Sequence, residues 1–517
     1  MQNCTFYLIE FWLKHPALLY GVACLIGFYG ALYQTSLVLI PILCLWLPSG
    51  IYGWKRINFN YKPFILSFLL LFISASYAMI AYPVPSLPIE GLKGKACLTI
   101  ESVSSHSSYF GRRWIYRCQL QHLFDEQGMH QKIRNVKCQI SFPQQKQWSR
   151  PPANQNYLVQ GTLTYNTKGQ YLFKVDKNTL WYPIEGTWSL AEWRYKAKKK
   201  AKAFILKIFS NPQSASFLAG LLTGEFENLT LRQSFARFGL QHILAISGFH
   251  FTIIASVINQ ILLCLISRKK TAFVTISLLT GYLLFLGGQP SILRAWLMIC
   301  IPILGDYLER ATNGLNSLGV ALLITLFIDP LQCQEWGFQF SYLITAAILL
   351  FYSVIDRYLM TLLPKRPLSQ LIEMHKWDLH GHCLLALFRQ SLALTIAVSL
   401  VAYPLTLYYF HSFPIMSLLY NLFFPLLVSL SLALLLMGMM TQIIPFIGQG
   451  IHELNNYYTH WILALTSDMP SSIDYYHRID ALDKAPLILY LCLALMCGIW
   501  IRSFMLKKIQ TPVFTYT

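Results

Sequence analysis

Three short runs set polar groups into stretches that are otherwise apolar enough to lie in a bilayer. "HILAISGFHF" carries Ser247, Gly248 and His250. "GGQPSILRAW" has a Gly-Gly-Gln-Pro turn with Gln289 and Pro290, then Arg294 about one helical turn later. "DPLQCQEWGFQFSYL" carries Gln339 and Ser341, and Asn421 stands further on in "LYNLFFPLLVSL". Neutral hydrogen-bonding groups and a permanent cation are costly in hydrocarbon unless they meet one another or a water-filled path. A path lined this way could hold an anion weakly and release it. Each residue also has a plainer explanation. Ser, Gly and Gln pack and hydrogen-bond between membrane helices, proline is ordinary at a helix start, and an arginine near a helix end can snorkel to the interface. His250 and His242 can serve simply as packing donors.

Other chemistries find little support. "HKWDLHGHC", His375 to Cys383, has a His-x-His pair but no Asp-His following, and reads as a polar loop rather than a metal site. No nucleophile has a base and an orienting carboxylate at readable spacing. No G-x-x-x-x-G-K-[ST] motif marks a nucleotide-driven motor. Twelve cysteines are spread singly, without metal-ligand spacing. Cys97, Cys118 and Cys138 share a polar segment, where one pair could form a disulfide if that segment lies outside the cytoplasm.

The elements that position these groups follow from composition. Hydrophobic residues make up 55% of the 517 and charged residues 12%, against about 25% charged in soluble chains. Apolar runs of membrane-crossing length are expected at 16–33, 36–53 and 62–81, then at 240–266, 271–287, 290–307, 313–328, 336–360, 386–410, 415–441, 446–466 and 485–503. The fold expected is a mainly α-helical polytopic membrane protein of about 10–12 spans, with an inserted small all-β domain. No cleavable signal peptide is evident, because the first run leads directly into a second. The basic loops "GWKRINFNYKP", "SRKK", "KRPLSQ" and the tail lysines 507 and 508 all fall on one side. The positive-inside rule makes that side cytoplasmic, with both termini.

Residues 83–187 change character. "ACLTIESVS", "RWIYRCQLQH", "NVKCQISF", "YLVQGTLTY" and "QYLFKV" alternate with period 2 between turn signals, giving about five strands in an extracytoplasmic domain. That size fits an OB-like barrel, although periodicity leaves barrel and sandwich both open. Arg112, Arg113, Trp114 and Tyr116 form an aromatic-interleaved basic strand, the composition of a single-strand groove and equally of ordinary barrel surface. Residues 188–212 form a basic amphipathic helix with Lys198, Lys199 and Lys200, suited to a lipid interface or to a phosphate backbone. About 20 Lys/Arg face about 7 Asp/Glu between Tyr82 and Asn211, and the whole chain carries +19. A polyanion or an anionic lipid surface would answer that charge.

In this order the motifs resemble the ComEC family of competence DNA-internalisation channels. The resemblance rests on "LLTGEFENL", "FARFGLQHILAISGFHFTIIA", "GGQPSILRAWLM", "LFIDPLQCQEWGFQFSYLITAAILLF" and "AYPLTLYYFHSFPIMSLLYNLFFPLLVSL". It is specific over about 213–430, within a channel domain at 213–466 that is followed by an outer loop, last helix and tail at 467–517. It extends weakly to the helices of 1–82 and the β segment. Phe249-His250-Phe251 varies the family's Leu-His-Val but keeps the histidine. The resemblance implies passage of single-stranded DNA across the bacterial inner membrane in natural transformation. It further implies a periplasmic DNA receptor, a cytoplasmic ATP-driven translocase and a separate nuclease as partners, besides membrane lipids and an oligomer of this chain. Arg294 would then meet phosphates, with Ser247, His250, Gln339, Ser341 and Asn421 as neutral donors. No cofactor is implied. Many family members continue into a metallo-β-lactamase-like domain, whereas this sequence ends about 14 residues after its last apolar run. Nuclease activity, and enzymatic activity generally, are therefore not expected. The competing expectations are an integral-membrane enzyme acting on lipid or cell-wall intermediates, and a small-solute transporter. The acidic residues are too scattered to favour the first, and no internal repeat favours the second.

Overall fold

The computed structural model describes residues 2–44, 46, 60–82, 91–108, 111–124, 130–144, 150–165, 171–176, 181–186, 188–245 and 248–510. Six strands form the β domain: β1 (Leu92–Ser108), β2 (Gly111–Phe124), β3 (His130–Pro143), β4 (Gln155–Tyr165), β5 (Tyr171–Val175) and β6 (Tyr182–Gly186). The ladder runs β1-β2-β3-β5-β4 and closes through β4 onto β1, with β6 added to β4. Only the β3–β5 pair is parallel. Closure decides the question that periodicity left open: this is a small barrel.

The seam has a steric requirement. Gly94 and Gly161 are direct partners across β1 and β4. A Cβ on Gly94 would lie 2.2 Å from the Phe124 carbonyl oxygen, and one on Gly161 would lie 2.4 Å from that of Lys174. Only residues without a side chain let four strands, β2, β1, β4 and β5, approach so closely there. Alternation fills the interior with Leu98, Tyr116, Leu120, Ile140, Val159 and Leu163, all fully buried. Each such aliphatic side chain contributes about 2 kcal/mol by leaving water.

Among the described residues the α-helices of nine or more residues are α1 (Gln2–Lys14), α2 (Pro16–Tyr33), α3 (Lys62–Ala81), α4 (Leu190–Ile208), α5 (Pro212–Thr223), α6 (Leu229–Arg237), α7 (Gly248–Leu265), α8 (Arg268–Leu286), α9 (Pro290–Tyr307), α10 (Gly314–Ile328), α11 (Trp336–Leu362), α12 (Lys376–Phe410), α13 (Ser417–Met440), α14 (Pro445–Ser467) and α15 (Lys484–Gln510). Ser189 caps α4 through the Ala191 amide. Its first turn is clamped to the barrel by Glu192, which takes Arg150 Nη2 on both oxygens at 2.6 and 2.7 Å and the Ala153 amide at 2.9 Å. The Arg150 guanidinium also stacks 4.0 Å over the Tyr195 ring. Burial opposes the charge on Glu192, but Arg150 and the Ala153 amide outweigh it and hold the carboxyl below its ordinary pKa.

Eight helices among the described residues are long and apolar enough to cross a membrane: α2, α3, α7, α8, α11, α12, α13 and α15. That is fewer than the ten to twelve expected, for physical reasons. α9 carries Arg294, Pro302 and Asp306, α10 has only 15 residues, and α14 carries His452, Glu453, Asn455 and Asn456. The helix expected at 36–53 lies largely outside the described residues. α12 begins at Lys376, ten residues before the expected start, so "KWDLHGHC" is helical and not the polar loop expected. Buried Arg389 on α12 pairs with Asp356 of α11 at 2.9 Å. The barrel is tied to the helices by Lys137 of β3 meeting Asp329, and α4 to α8 by Arg194 donating to the Leu284 carbonyl at 2.7 Å.

Candidate functional site

The three polar motifs occupy the first turns of three helices, α7, α9 and α11, and these starts come together. Arg294 stands one turn into α9 and donates from Nε to Ser341 Oγ of α11 at 2.6 Å. A Cβ on Gly248, the first residue of α7, would lie 3.2 Å from Arg294 Nη2 and 3.7 Å from the Ala295 Cβ. Glycine therefore lets the guanidinium lie flat against the start of α7. Among the described residues neither Nη1 nor Nη2 meets a hydrogen-bond acceptor, and Arg294 is only half-buried. The group is oriented through Nε and keeps its outer fork unspent. A planar fork of this kind matches two oxygens of a carboxylate or phosphate.

The other expected path residues are placed differently. His250 is buried on the Phe251, Ile254 and Ala255 stripe of α7 and faces packed side chains. Gln339 is committed at both ends: its Nε2 donates to the Cys333 carbonyl at 3.1 Å, and Tyr409 of α12 donates to its Oε1 at 2.5 Å. It braces the turn that precedes α11. Asn421 lies in the first turns of α13, its Oδ1 buried with no partner among the described residues. Pro290 is buried at the first position of α9 and Gln289 before it is exposed. Ser247 lies outside the described residues.

Above these helix starts a chamber of about 1400 Å³ separates the barrel from the helices. That exceeds the usual size of a small-molecule pocket. Gln289 and Pro290 form part of its floor, Glu335 and Gly337 another part, and Arg117, Lys137 and Gln139 its barrel side. Arg294 is four residues beyond Pro290, about 6 Å of helix rise below that floor. Glu335 is held above its ordinary pKa, chiefly by burial, against the pull of Arg117 and Lys137. Sequence reasoning missed Arg117, Lys137 and Gln139. The signal was there, since all three occupy outward positions between the buried residues of β2 and β3.

The expected strand groove is corrected by the same alternation. Trp114 and Tyr116 point into the barrel, where Tyr116 donates to the Pro151 carbonyl at 2.8 Å and stacks on Phe142. Their rings cannot offer a surface to bases. Arg112 is exposed, and Arg113 is held by Ser141 at 2.9 and 3.1 Å. On α4, Lys198 pairs with Glu225 at 3.1 Å and Lys202 with Glu227 at 2.5 Å, while Lys199 and Lys200 remain exposed. Cys97, Cys118 and Cys138 are free thiols here, and Cys118 and Cys138 are direct partners across β2 and β3. Among the described residues no group of three or more His, Cys, Asp or Glu is placed to hold a metal.

Comparison with known proteins gives two matches and one blank. A family model described as "Competence protein" matches residues 221–504, more than half of the chain. ComE operon protein 3 of Bacillus subtilis (strain 168) is 26% identical over 278 residues, 51% of this chain. The match spans 31% of that relative's length. No solved structure matches. Gly248, Arg294 and Ser341, joined by geometry, all lie within the family match, and the chain belongs to the competence protein family.

Proposed function

We propose that this chain conducts single-stranded DNA across the bacterial plasma membrane during natural transformation. The observation that carries the reading is Arg294: a guanidinium fixed through Nε to Ser341, its outer nitrogens without an acceptor among the described residues, among the starts of apolar helices and below a large chamber. A phosphodiester presents two acceptor oxygens and one negative charge, to which the outer N–H groups of the fork can donate. The uncharged surroundings keep that hold weak enough for the cargo to move on. Family membership supports the same reading.

On this reading the barrel is an OB-like module outside the cytoplasm, since its strand order closes as in that Greek-key barrel. The basic loops "SRKK" and "KRPLSQ" lie inside with both termini. Strand entry occurs through the chamber and onward passage past Arg294. A DNA receptor outside, an ATP-driven translocase inside and a separate nuclease complete the process. The test is uptake of end-labelled DNA by a transformable host deleted for this chain, scoring surface-bound and nuclease-protected label separately. The proposal expects bound label to persist and protected label to vanish. Protected label at the wild-type level would overturn it.

A further inference from the structure

The chamber is nearly neutral although the chain carries +19. Among the described residues five cations line it, Arg117, Lys137, Arg194, Lys198 and Arg232, against four carboxylates, Glu101, Glu225, Asp329 and Glu335. Two of the cations are directly engaged by two of the carboxylates. Lys137 of β3 meets Asp329 Oδ2 across the gap between barrel and helices. Lys198 of α4 meets Glu225 Oε1 at 3.1 Å.

These pairs are built into the walls. Asp329 ends α10 and divides its oxygens: Oδ1 accepts the Leu331 amide at 3.3 Å, capping the turn Pro330–Gln334, and Oδ2 is left for Lys137. Glu225 follows the left-handed Gly224 that ends α5, and its amide is held by Thr223 Oγ1 at 3.4 Å. Burial works against the charge on Lys137, but Asp329 and Glu101 outweigh it, so the ammonium stays firmly protonated. The chamber thus holds charged lysines whose partner is a fixed carboxylate at the position a phosphate oxygen would take.

We infer that Asp329 and Glu225 are surrogate phosphates, occupying Lys137 and Lys198 in the unloaded protein and yielding them to the phosphates of an entering single strand. The inference rests on the DNA-conducting reading. Its consequence is selectivity by exchange. A polyanion that reaches both lysines at once displaces both carboxylates, whereas a small anion competes at one lysine against a tethered rival of effectively high concentration. The pairs are partly exposed, with Lys137 37% and Asp329 13% accessible, so displacement is not prohibitive.

The alternative is that both pairs merely staple the barrel to the helices, and opposite signs separate the two. The test is equilibrium binding of a fluorescent 20-nucleotide oligothymidylate to the full-length protein in detergent, over a salt series, with thermal unfolding followed in parallel. Asp329→Asn keeps the cap acceptor and removes the charge, and Glu225→Gln does the same independently on another element. Each should tighten binding about two- to fivefold, and the pair together about tenfold. Lys137→Gln should instead weaken binding and lower the salt slope by about one. If Asp329→Asn and Lys137→Gln both weaken binding, or the two acid variants leave it unchanged, the carboxylates are staples and the inference falls. If the wild type and every variant fail to bind the oligonucleotide at low salt, the DNA-conducting reading falls with it.

Discussion

Ser341→Ala is the perturbation that probes the Arg294 arrangement most finely. Ser341 Oγ sits 2.6 Å from Arg294 Nε and is the sole acceptor of that guanidinium among the described residues. A hydrogen bond from a charged donor is worth about 1.5–3 kcal/mol. Removing the hydroxyl leaves the cation in place but free to rotate off the start of α7. If that energy serves to aim the fork at a phosphate, the cost appears in transport, at about tenfold per 1.4 kcal/mol. Nuclease-protected DNA should therefore fall roughly 10- to 100-fold, with the protein still present in membranes at normal amount. Ser341→Thr restores a hydroxyl on the same carbon and should recover most of the uptake. The assay compares protected label per unit of membrane-inserted protein in a deletion host complemented with each variant. Normal uptake by Ser341→Ala, or Ser341→Thr failing as badly as the alanine, would refute the positioning argument.

Further expectations follow from other contacts. Gly248→Ala places a methyl 3.2 Å from Arg294 Nη2, so uptake should fall several-fold while thermal stability changes by less than about 1 kcal/mol; unaltered uptake would remove α7 from the site. Gly94→Ala drives a methyl into the Phe124 carbonyl at the barrel seam and should cost about 1–3 kcal/mol, read as a lower unfolding midpoint of the full-length protein on heating. The Arg150–Glu192 clamp should be sensitive to acid. Because the folded pKa of Glu192 lies below its ordinary value of 4.5, its contribution is present above that value and disappears as pH falls through the folded pKa. Glu192→Gln should be destabilised by about 3–5 kcal/mol at pH 7, where it leaves Arg150 uncompensated, and should lack the wild type's acid transition below pH 4.5.

Much of this architecture was legible in the sequence. Alternation located the strands because a barrel wall imposes period 2, and apolar length located the long helices. The motifs around Arg294 were legible as polar interruptions, but their convergence was not: Arg294 and Ser341 are 47 positions apart and meet only because α9 packs on α11. The inward direction of Trp114 and Tyr116 was in principle readable, since they share parity with Cys118 and Leu120; composition drew attention to the aromatic rings instead. Lys137 and Asp329 lie 192 positions apart, on a strand and a helix end, so no spacing rule could pair them. Gln339 looked like a path donor because its type fits, yet Tyr409 and the Cys333 carbonyl consume its amide. The shortfall in spans comes from helices such as α14, where buried hydrogen bonds of Ser431, Asn455 and Thr459 let a polar segment pack as membrane helices do.

The central claim, that a DNA strand passes Arg294 on its way in, is tested most directly by Arg294→Ala in the deletion host, with surface-bound and nuclease-protected DNA counted separately. The account predicts wild-type binding at the surface, normal membrane insertion of the variant and protected DNA reduced to the level of the deletion. Protected DNA at the wild-type level would place the path elsewhere in the molecule.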